Sequence, residues 1–125
     1  MYKIETTFSF EAAHKLSLSY DSPCQNLHGH SYRCTITLAS HVLNCDRMII
    51  DFKILKQIIK TNIEDKFDHK YLNDVLEGNS TAEYMAKYIC DEMNATLLGR
   101  GICAKCVKVE LNETEKNKAI WEEDK

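Results

Sequence analysis

The 125-residue chain contains few residues that break regular structure, with one proline and four glycines. This scarcity excludes collagen-like chains and linkers rich in proline or glycine. No apolar run approaches the roughly 18 residues that a membrane-spanning helix needs. Hydrophobic residues make up 44% of the chain and charged residues 28%. This composition is typical of a globular protein, and we expect one domain spanning residues 1–125.

Positive charge is not in excess, because 16 lysines and arginines stand against 19 acidic residues, a formal net charge of −3. Nucleic-acid binding requires a basic surface. We therefore expect neither a nucleic-acid nor a membrane partner. Residues Met1–Glu5 resemble a charged strand more than a secretory signal, and without such a signal the six cysteines are expected to be free thiols. These features predict a cytoplasmic protein.

Hydrophobic periodicity predicts an α+β fold. Alternation with period two predicts four strands, and spacing of three to four residues predicts two helices. The predicted strands are Ile4–His14, His28–Ala39, Ala104–Leu111 and Lys118–Glu122. The first helix follows the N-cap Asp51 and extends to Glu64, and the second opens with a capping box at Ser80–Glu83 and ends near Gly99–Gly101. We expect 65–79 to be mostly irregular, and an antiparallel sheet with helices on one face.

Three of the five histidines occupy linked positions on the predicted strands. His28 and His30 are two residues apart, so their side chains share one face of the second strand. His14 ends the first strand on its apolar face, and a hairpin would place it beside His28. Three neutral imidazoles with an open fourth position are the ligands of a catalytic Zn²⁺ site. The alternative is three partly buried histidines that only make hydrogen bonds.

Six further residues carry chemistry that the spacing alone leaves open. Cys24, four residues before His28, is either a base or nucleophile activated by the metal or a fourth ligand that closes a structural site. Asp68–His69 is either an oriented acid–base pair or a solvated turn. Glu110 either accepts two N–H groups of a heterocycle or faces solvent on its strand. The pair Cys103 and Cys106 is weak evidence for zinc and is interpreted as structural or incidental.

The remaining cysteines and His41 have simpler interpretations. Cys34, Cys45 and Cys90 are expected to be small buried side chains. His41 is expected on the surface.

Six segments, in this order, resemble the 6-pyruvoyl-tetrahydropterin synthase family. They are Phe8–His14, Cys24–Tyr32, Ile50–Phe52, Asp68–Asn73, Ser80–Glu83 and Val107–Glu110. The similarity is greatest to the branch that makes 6-carboxy-tetrahydropterin for queuosine and 7-deazaguanine synthesis. Ser80 and Lys70 depart from that branch, which usually has proline and histidine there, and resemble the 6-pyruvoyl branch.

The resemblance implies the tunnelling fold (T-fold), a four-stranded antiparallel sheet with two helices inserted between strands two and three. Subunits of this family join sheet edges into a barrel and form a homo-hexamer, a dimer of trimers, with active sites between subunits. Barrel closure removes the exposed strand edges that a small sheet leaves.

The resemblance also implies a role for each site residue. Zn²⁺ would be held by His14, His28 and His30. Cys24 would be the proton-abstracting thiolate, Asp68 and His69 would complete the proton relay at a neighbour's zinc, and Glu110 would anchor the pterin. Thr81 and Ala82 match positions near the pterin ring, and Lys15 is a candidate for binding triphosphate because it follows His14.

The implied reaction is a zinc-dependent lyase reaction. It would convert 7,8-dihydroneopterin triphosphate to 6-carboxy-5,6,7,8-tetrahydropterin with release of acetaldehyde and triphosphate. One alternative is elimination of triphosphate that stops at 6-pyruvoyl-tetrahydropterin. Another is a non-catalytic, zinc-stabilised pterin-binding module.

Overall fold

A computed structural model describes residues 1–124, which contain a five-stranded sheet with helices packed against it. The strands are β1 (Tyr2–His14), β2 (His28–Ser40), β3 (Lys70–Tyr71), β4 (Lys105–Asn112) and β5 (Lys118–Glu122), in the order β3-β1-β2-β4-β5. The helices are α1 (Phe52–Ile59), α2 (Asp65–Phe67) and α3 (Ala82–Gly99), and a π-helical stretch, Lys60–Glu64, connects α1 to α2. The predicted α+β class is confirmed.

The hairpin of β1 and β2 is the part of the sheet that positions the histidines. The two strands are antiparallel along their whole length, with His14 opposite His28 and Ala12 opposite His30. Burial alternates along β1, where Phe10 and His14 are buried and Glu11 is exposed. This alternation places the three histidines on the face that packs against the helices.

The helices cover that face and form one core with it. Asp51 caps α1 as predicted, because its side chain accepts a hydrogen bond from the Lys53 N–H. Each helix buries the apolar residues of one face against the strands. These are Leu55, Ile58, Ile59 and Ile63 from the first helical segment and Met85, Ile89, Met93 and Leu97 from α3. None of the helices within residues 1–124 is long and apolar enough to cross a membrane.

The prediction of only four strands and a mostly irregular 65–79 stretch is wrong in part. The first helical segment extends to Phe67, and β3 then pairs in parallel with β1. The backbone of Glu11 explains the pairing, since its N–H donates to Asp68 Oδ1 at 2.9 Å and its carbonyl accepts from the His69 N–H at 2.6 Å. A two-residue strand is too short to show the alternation from which strands are predicted.

The predicted capping box at the start of α3 is also wrong. Thr81 is the N-cap, because its hydroxyl accepts from the Tyr84 N–H at 3.2 Å. Ser80 is fully buried and contacts His14 instead. With the cap moved by one residue, Glu83 no longer occupies the third helical position that a capping box requires.

The predictions for three single residues are confirmed and the prediction for a fourth is wrong. His41 is exposed, and Cys34 and Cys90 are buried as expected. Cys45 is exposed, because it lies in a turn in which Asn44 Oδ1 accepts hydrogen bonds from the backbone N–H groups of Asp46 and Met48. A turn on the surface has no apolar layer to bury a thiol against.

Candidate metal centre and active site

The three histidines converge where β1 ends and β2 begins. His14 is fully buried, and the ring centroids of the three imidazoles are 4.6 to 5.2 Å apart. One nitrogen from each ring lies within 4.8 Å of the other two. The predicted convergence is confirmed, and His14, His28 and His30 form a cluster that can hold a metal ion.

Hydrogen bonds on the far side of two rings fix which nitrogen carries the proton. His14 Nδ1 lies 3.0 Å from the carbonyl oxygen of Ser80, and His28 Nδ1 lies 2.7 Å from that of Asn26. A carbonyl only accepts, so both Nδ1 atoms are donors and both Nε2 atoms carry lone pairs in the neutral rings. Those Nε2 atoms are 3.0 Å apart. Two facing lone pairs repel unless a cation lies beside both.

His30 supplies the third unsatisfied nitrogen. Its Nε2 atom is buried and has no hydrogen-bond partner, although a carboxylate oxygen of Glu113 lies 3.3 Å away in an unsuitable direction. Burial lowers the pKa of His14 and of His30, and His28 lowers both further. Neutral imidazoles are the form that coordinates a metal. The donor set therefore fits a bound metal ion, with carbonyls orienting two of the ligands.

Cys24 precedes His28 by four residues and is outside the set of ligand atoms. It is half-buried in a 3₁₀ turn, Pro23–Gln25, and its N–H donates to Ser22 Oγ at 3.2 Å. Among residues 1–124, only the nitrogens of the three histidines lie close enough together to share a metal ion. The cluster thus supplies three ligand nitrogens, and the Cys24 thiol is not one of its ligand atoms.

Asp68 and His69 contact each other in a fixed orientation and are not part of the three-histidine cluster. Asp68 Oδ2 lies 3.0 Å from His69 Nδ1, and the His69 side chain is 80% exposed. The hydrogen bond from the Glu11 N–H lowers the pKa of Asp68, and His69 lowers it further. His69 also has a φ of 57°, a left-handed conformation that is uncommon outside glycine. Such a conformation persists only where the surroundings hold it.

His69 lines an open cavity at the edge of the sheet. The cavity has a volume of about 520 Å³ and includes Glu11, Ser31, His69 and part of His30. Glu11 points away from the face that carries His14. Within one chain, the acid–base pair is therefore at the rim of the sheet and its imidazole faces solvent.

Glu110 lies on the opposite face of the sheet from the histidines. Its neighbours along β4, Val109 and Leu111, are fully buried on the helix side. Glu110 Oε1 accepts from Lys118 Nζ at 2.8 Å, and this hydrogen bond lowers the pKa of Glu110. The chain does not bring Glu110 to the metal cluster, and its anchoring role stays a prediction.

The carboxylate that does lie beside the cluster is Glu113, which the sequence reasoning missed. It follows the end of β4, next to the Arg33–Asn112 pair of the β2–β4 ladder. The strand alternation contains the signal, because Glu113 continues the parity of Val109 and Leu111 and so points to the histidine side. Its side chain is 31% exposed, so one oxygen can reach a ligand.

The start of α3 lies in the same region. A cavity of about 270 Å³ is lined by Ala82, Glu113 and Lys118, among others. Ser80, next to the N-cap Thr81, contacts His14 through both its carbonyl and its hydroxyl. The structure thus brings Thr81 and Ala82 to the neighbourhood of the metal cluster and of Glu113. Lys15 is exposed directly after His14.

Comparison with known proteins agrees with this geometry. The sequence model of a family described as 6-pyruvoyl tetrahydropterin synthase matches residues 3–124. A curated relative from Aquifex aeolicus, named 6-carboxy-5,6,7,8-tetrahydropterin synthase, is 31% identical over 98% of this chain and 99% of its own. A relative of the same name from Haemophilus influenzae is 40% identical over 59% of this chain, and the match spans about half of that protein, 54%.

A solved structure shows the same architecture. The 6-pyruvoyl tetrahydropterin synthase of Caenorhabditis elegans superposes with a TM-score of 0.81 at 26% identity, covering 98% of this chain and 96% of that one. The family match spans nearly all of the residues that carry the histidines, the strands and the helices. This chain belongs to the 6-pyruvoyl tetrahydropterin synthase family.

Proposed function

We propose that the protein is a zinc-dependent lyase that converts 7,8-dihydroneopterin triphosphate to 6-carboxy-5,6,7,8-tetrahydropterin, releasing acetaldehyde and triphosphate. The observation that carries the proposal is the convergence of three imidazole nitrogens, two of them with lone pairs facing each other at 3.0 Å. Full-length similarity to a relative named for this product favours the 6-carboxy reaction. The product belongs to queuosine and 7-deazaguanine synthesis.

His14, His28 and His30 would hold Zn²⁺ at this centre. The ion would supply Lewis-acid polarisation of oxygens on the substrate side chain. The Ser80 and Asn26 carbonyls keep two of the ligand rings in the tautomer that coordinates. Burial of His14 keeps water away from one side of the site.

Proton transfer is assigned to Cys24 and to the Asp68–His69 pair. The Cys24 thiolate would take a proton from a carbon of the substrate side chain. His69, whose Nδ1 atom lies 3.0 Å from Asp68 Oδ2, would deliver a proton on the opposite side. Since His69 faces solvent in one chain, we propose that the pair serves the zinc centre of a neighbouring copy.

We propose that the protein assembles into a homo-hexamer, as the family resemblance implies, and the free edges of the sheet support closure into a barrel. Within residues 1–124, β3 covers only Ala12 and Ala13 on the outer edge of β1, and the outer edge of β5 has no strand beside it. Pairing these edges between subunits would close a barrel and remove them from solvent. Light scattering of the purified protein measures the subunit number, and a monomer at micromolar concentration would contradict the assembly.

We propose Glu113 as the carboxylate that orients the pterin ring, in preference to Glu110. A carboxylate that accepts two N–H groups from a planar ring fixes both its position and its rotation. Glu113 lies 3.3 Å from a ring nitrogen of His30, whereas Glu110 is engaged by Lys118 on the other face. Glu110 is the matched comparison, because it is the carboxylate within β4 and would face the interior of a closed barrel.

Replacing Glu113 with glutamine is expected to lower kcat/KM for dihydroneopterin triphosphate by roughly 10- to 100-fold, the value of a charge-assisted hydrogen bond. The matched variant Glu110→Gln is expected to change kcat/KM less than about threefold, because it loses only a partly exposed ion pair. Steady-state kinetics of both proteins measures the difference. The reverse ranking would assign the anchor to Glu110.

Identification of the product distinguishes the proposed reaction from its two alternatives. The zinc-loaded protein is incubated with 7,8-dihydroneopterin triphosphate, the pterins are identified by mass spectrometry, and acetaldehyde is assayed. We expect 6-carboxy-tetrahydropterin and acetaldehyde in equal amounts. Release of triphosphate without acetaldehyde would favour 6-pyruvoyl-tetrahydropterin as the product, and unchanged substrate would leave only a zinc-stabilised pterin-binding module.

The compartment is proposed on separate grounds. All six cysteines are free thiols, which is the form favoured in a reducing compartment such as the cytoplasm.

A further inference from the structure

The segment Lys15–Leu18, which follows His14, is held in extended form by bonds that alternate in direction. The N–H groups of Lys15 and Ser17 donate to one side, and those of Leu16 and Leu18 donate to the other. A strand between two neighbours has the same alternation. Here, however, the acceptors on both sides include side chains instead of a continuous strand.

Two asparagines form one side of this arrangement. Asn73 accepts from the Lys15 N–H at 3.0 Å and donates to the Lys15 carbonyl at 2.9 Å. Asn79 accepts from the Ser17 N–H and donates to the Ser17 carbonyl, both at 2.8 Å. Each carboxamide therefore satisfies both backbone groups of one residue, as a paired strand residue would.

The other side of the segment is the turn that carries Cys24. The Leu16 N–H donates to the Cys24 carbonyl at 2.9 Å, and the Leu18 N–H donates to Gln25 Oε1 at 3.3 Å. The Lys15–Leu18 segment therefore lies between the two asparagines and the Cys24 turn and is hydrogen-bonded to both. Asn79 also precedes Ser80, whose carbonyl orients His14.

Packing adds little to these bonds. Residues 15–17, Gln25 and residues 73–79 line a cavity of about 630 Å³, and Lys15 and Ser17 are exposed. Hydrogen bonds are therefore the main contacts that fix the two exposed residues of the segment.

We propose that Asn73 and Asn79 are positioning residues that set the Cys24 thiol relative to the three-histidine centre. The inference rests on the proposed function, in which Cys24 exchanges a proton with the substrate. Neither asparagine touches the reacting atoms. Their contribution is to hold one backbone layer, and with it the turn, at a fixed distance from the ligands.

The chain contains a matched control. Asn94 Oδ1 accepts from the Cys106 N–H at 2.8 Å, and its Nδ2 donates to the Cys106 carbonyl at 3.1 Å. Asn94 thus makes the same pair of hydrogen bonds to the backbone of one residue, but this pair joins α3 to β4, away from Cys24. Asn94→Ala therefore removes the same kind of interaction without loosening the Cys24 turn.

The first test follows alkylation of Cys24 by iodoacetamide, measured by mass spectrometry of its peptide, with the exposed Cys45 and Cys103 as references. We expect Asn73→Ala and Asn79→Ala to raise the Cys24 rate roughly five- to tenfold, because local opening becomes easier when the bonds are lost. Asn94→Ala should lower the Tm and leave the Cys24 rate as in the wild type. Equal rates in all variants, or equal acceleration by Asn94→Ala, would overturn the proposal.

The second test uses turnover and bound zinc. Asn73→Ala and Asn79→Ala should both keep one zinc per chain and a KM within about twofold of the wild type. Their kcat should fall roughly 10- to 100-fold, because the thiol is misplaced. Asn79→Asp keeps the acceptor for the Ser17 N–H and should give a kcat and a Cys24 alkylation rate between those of the wild type and Asn79→Ala. This milder variant keeps the proposal testable if an alanine variant does not fold. If the wild type does not turn over the substrate, the proposed function fails, and the alkylation rates still decide the role of the asparagines.

Discussion

Replacing His30 with alanine is expected to weaken zinc binding by at least about 100-fold, since even residues that only orient a ligand contribute 10- to 100-fold. Turnover should fall below roughly one thousandth of the wild type, because several kcal/mol of Lewis-acid stabilisation are lost. His30 is the best ligand to remove. Its Nε2 atom has no hydrogen-bond partner, so no hydrogen bond of that nitrogen is broken in the apo protein.

The matched control is His41→Ala. His41 is exposed and lies beyond β2, so this variant should bind one zinc per chain with the wild-type affinity. Metal content after dialysis and a competition titration with a chromophoric chelator measure both proteins. Full zinc content in His30→Ala would show that the three histidines are not the metal site.

The position of the histidines could be predicted because two simple geometric rules determine it. Residues two apart on a strand share a face, which pairs His28 with His30. A hairpin places the end of β1 beside the start of β2, which adds His14. The orienting contacts of Ser80 could not be predicted in this way, since a good N-cap residue next to Thr81 gives no local sign that its hydroxyl is used elsewhere.

The same alternation explains why Glu113 was missed and Glu110 was chosen. The predicted strand ends at Leu111, but the parity of the buried face continues to Glu113. The short β3 was missed for a different reason. Its pairing with β1 depends on the backbone of Glu11 and on a left-handed His69, and neither produces a hydrophobic period.

Replacing Cys24 with alanine is expected to lower kcat by roughly 100- to 10,000-fold, the contribution of a positioned general base. Zinc should remain bound at one equivalent per chain, because the ligand atoms of the described cluster come from histidines alone. A base that never contacts the metal can be removed without disturbing the ion. This combination, lost turnover with retained metal, separates a catalytic thiol from a structural ligand.

Cys103→Ala is the control for the loss of a thiol, since Cys103 is exposed and lies before β4. It should keep both turnover and zinc. If Cys24→Ala instead loses zinc, Cys24 is a fourth ligand, the tetrahedral site is closed, and the centre is structural. If Cys24→Ala keeps zinc and also full turnover, the proton is taken by another group, and the Asp68–His69 pair is the candidate that remains.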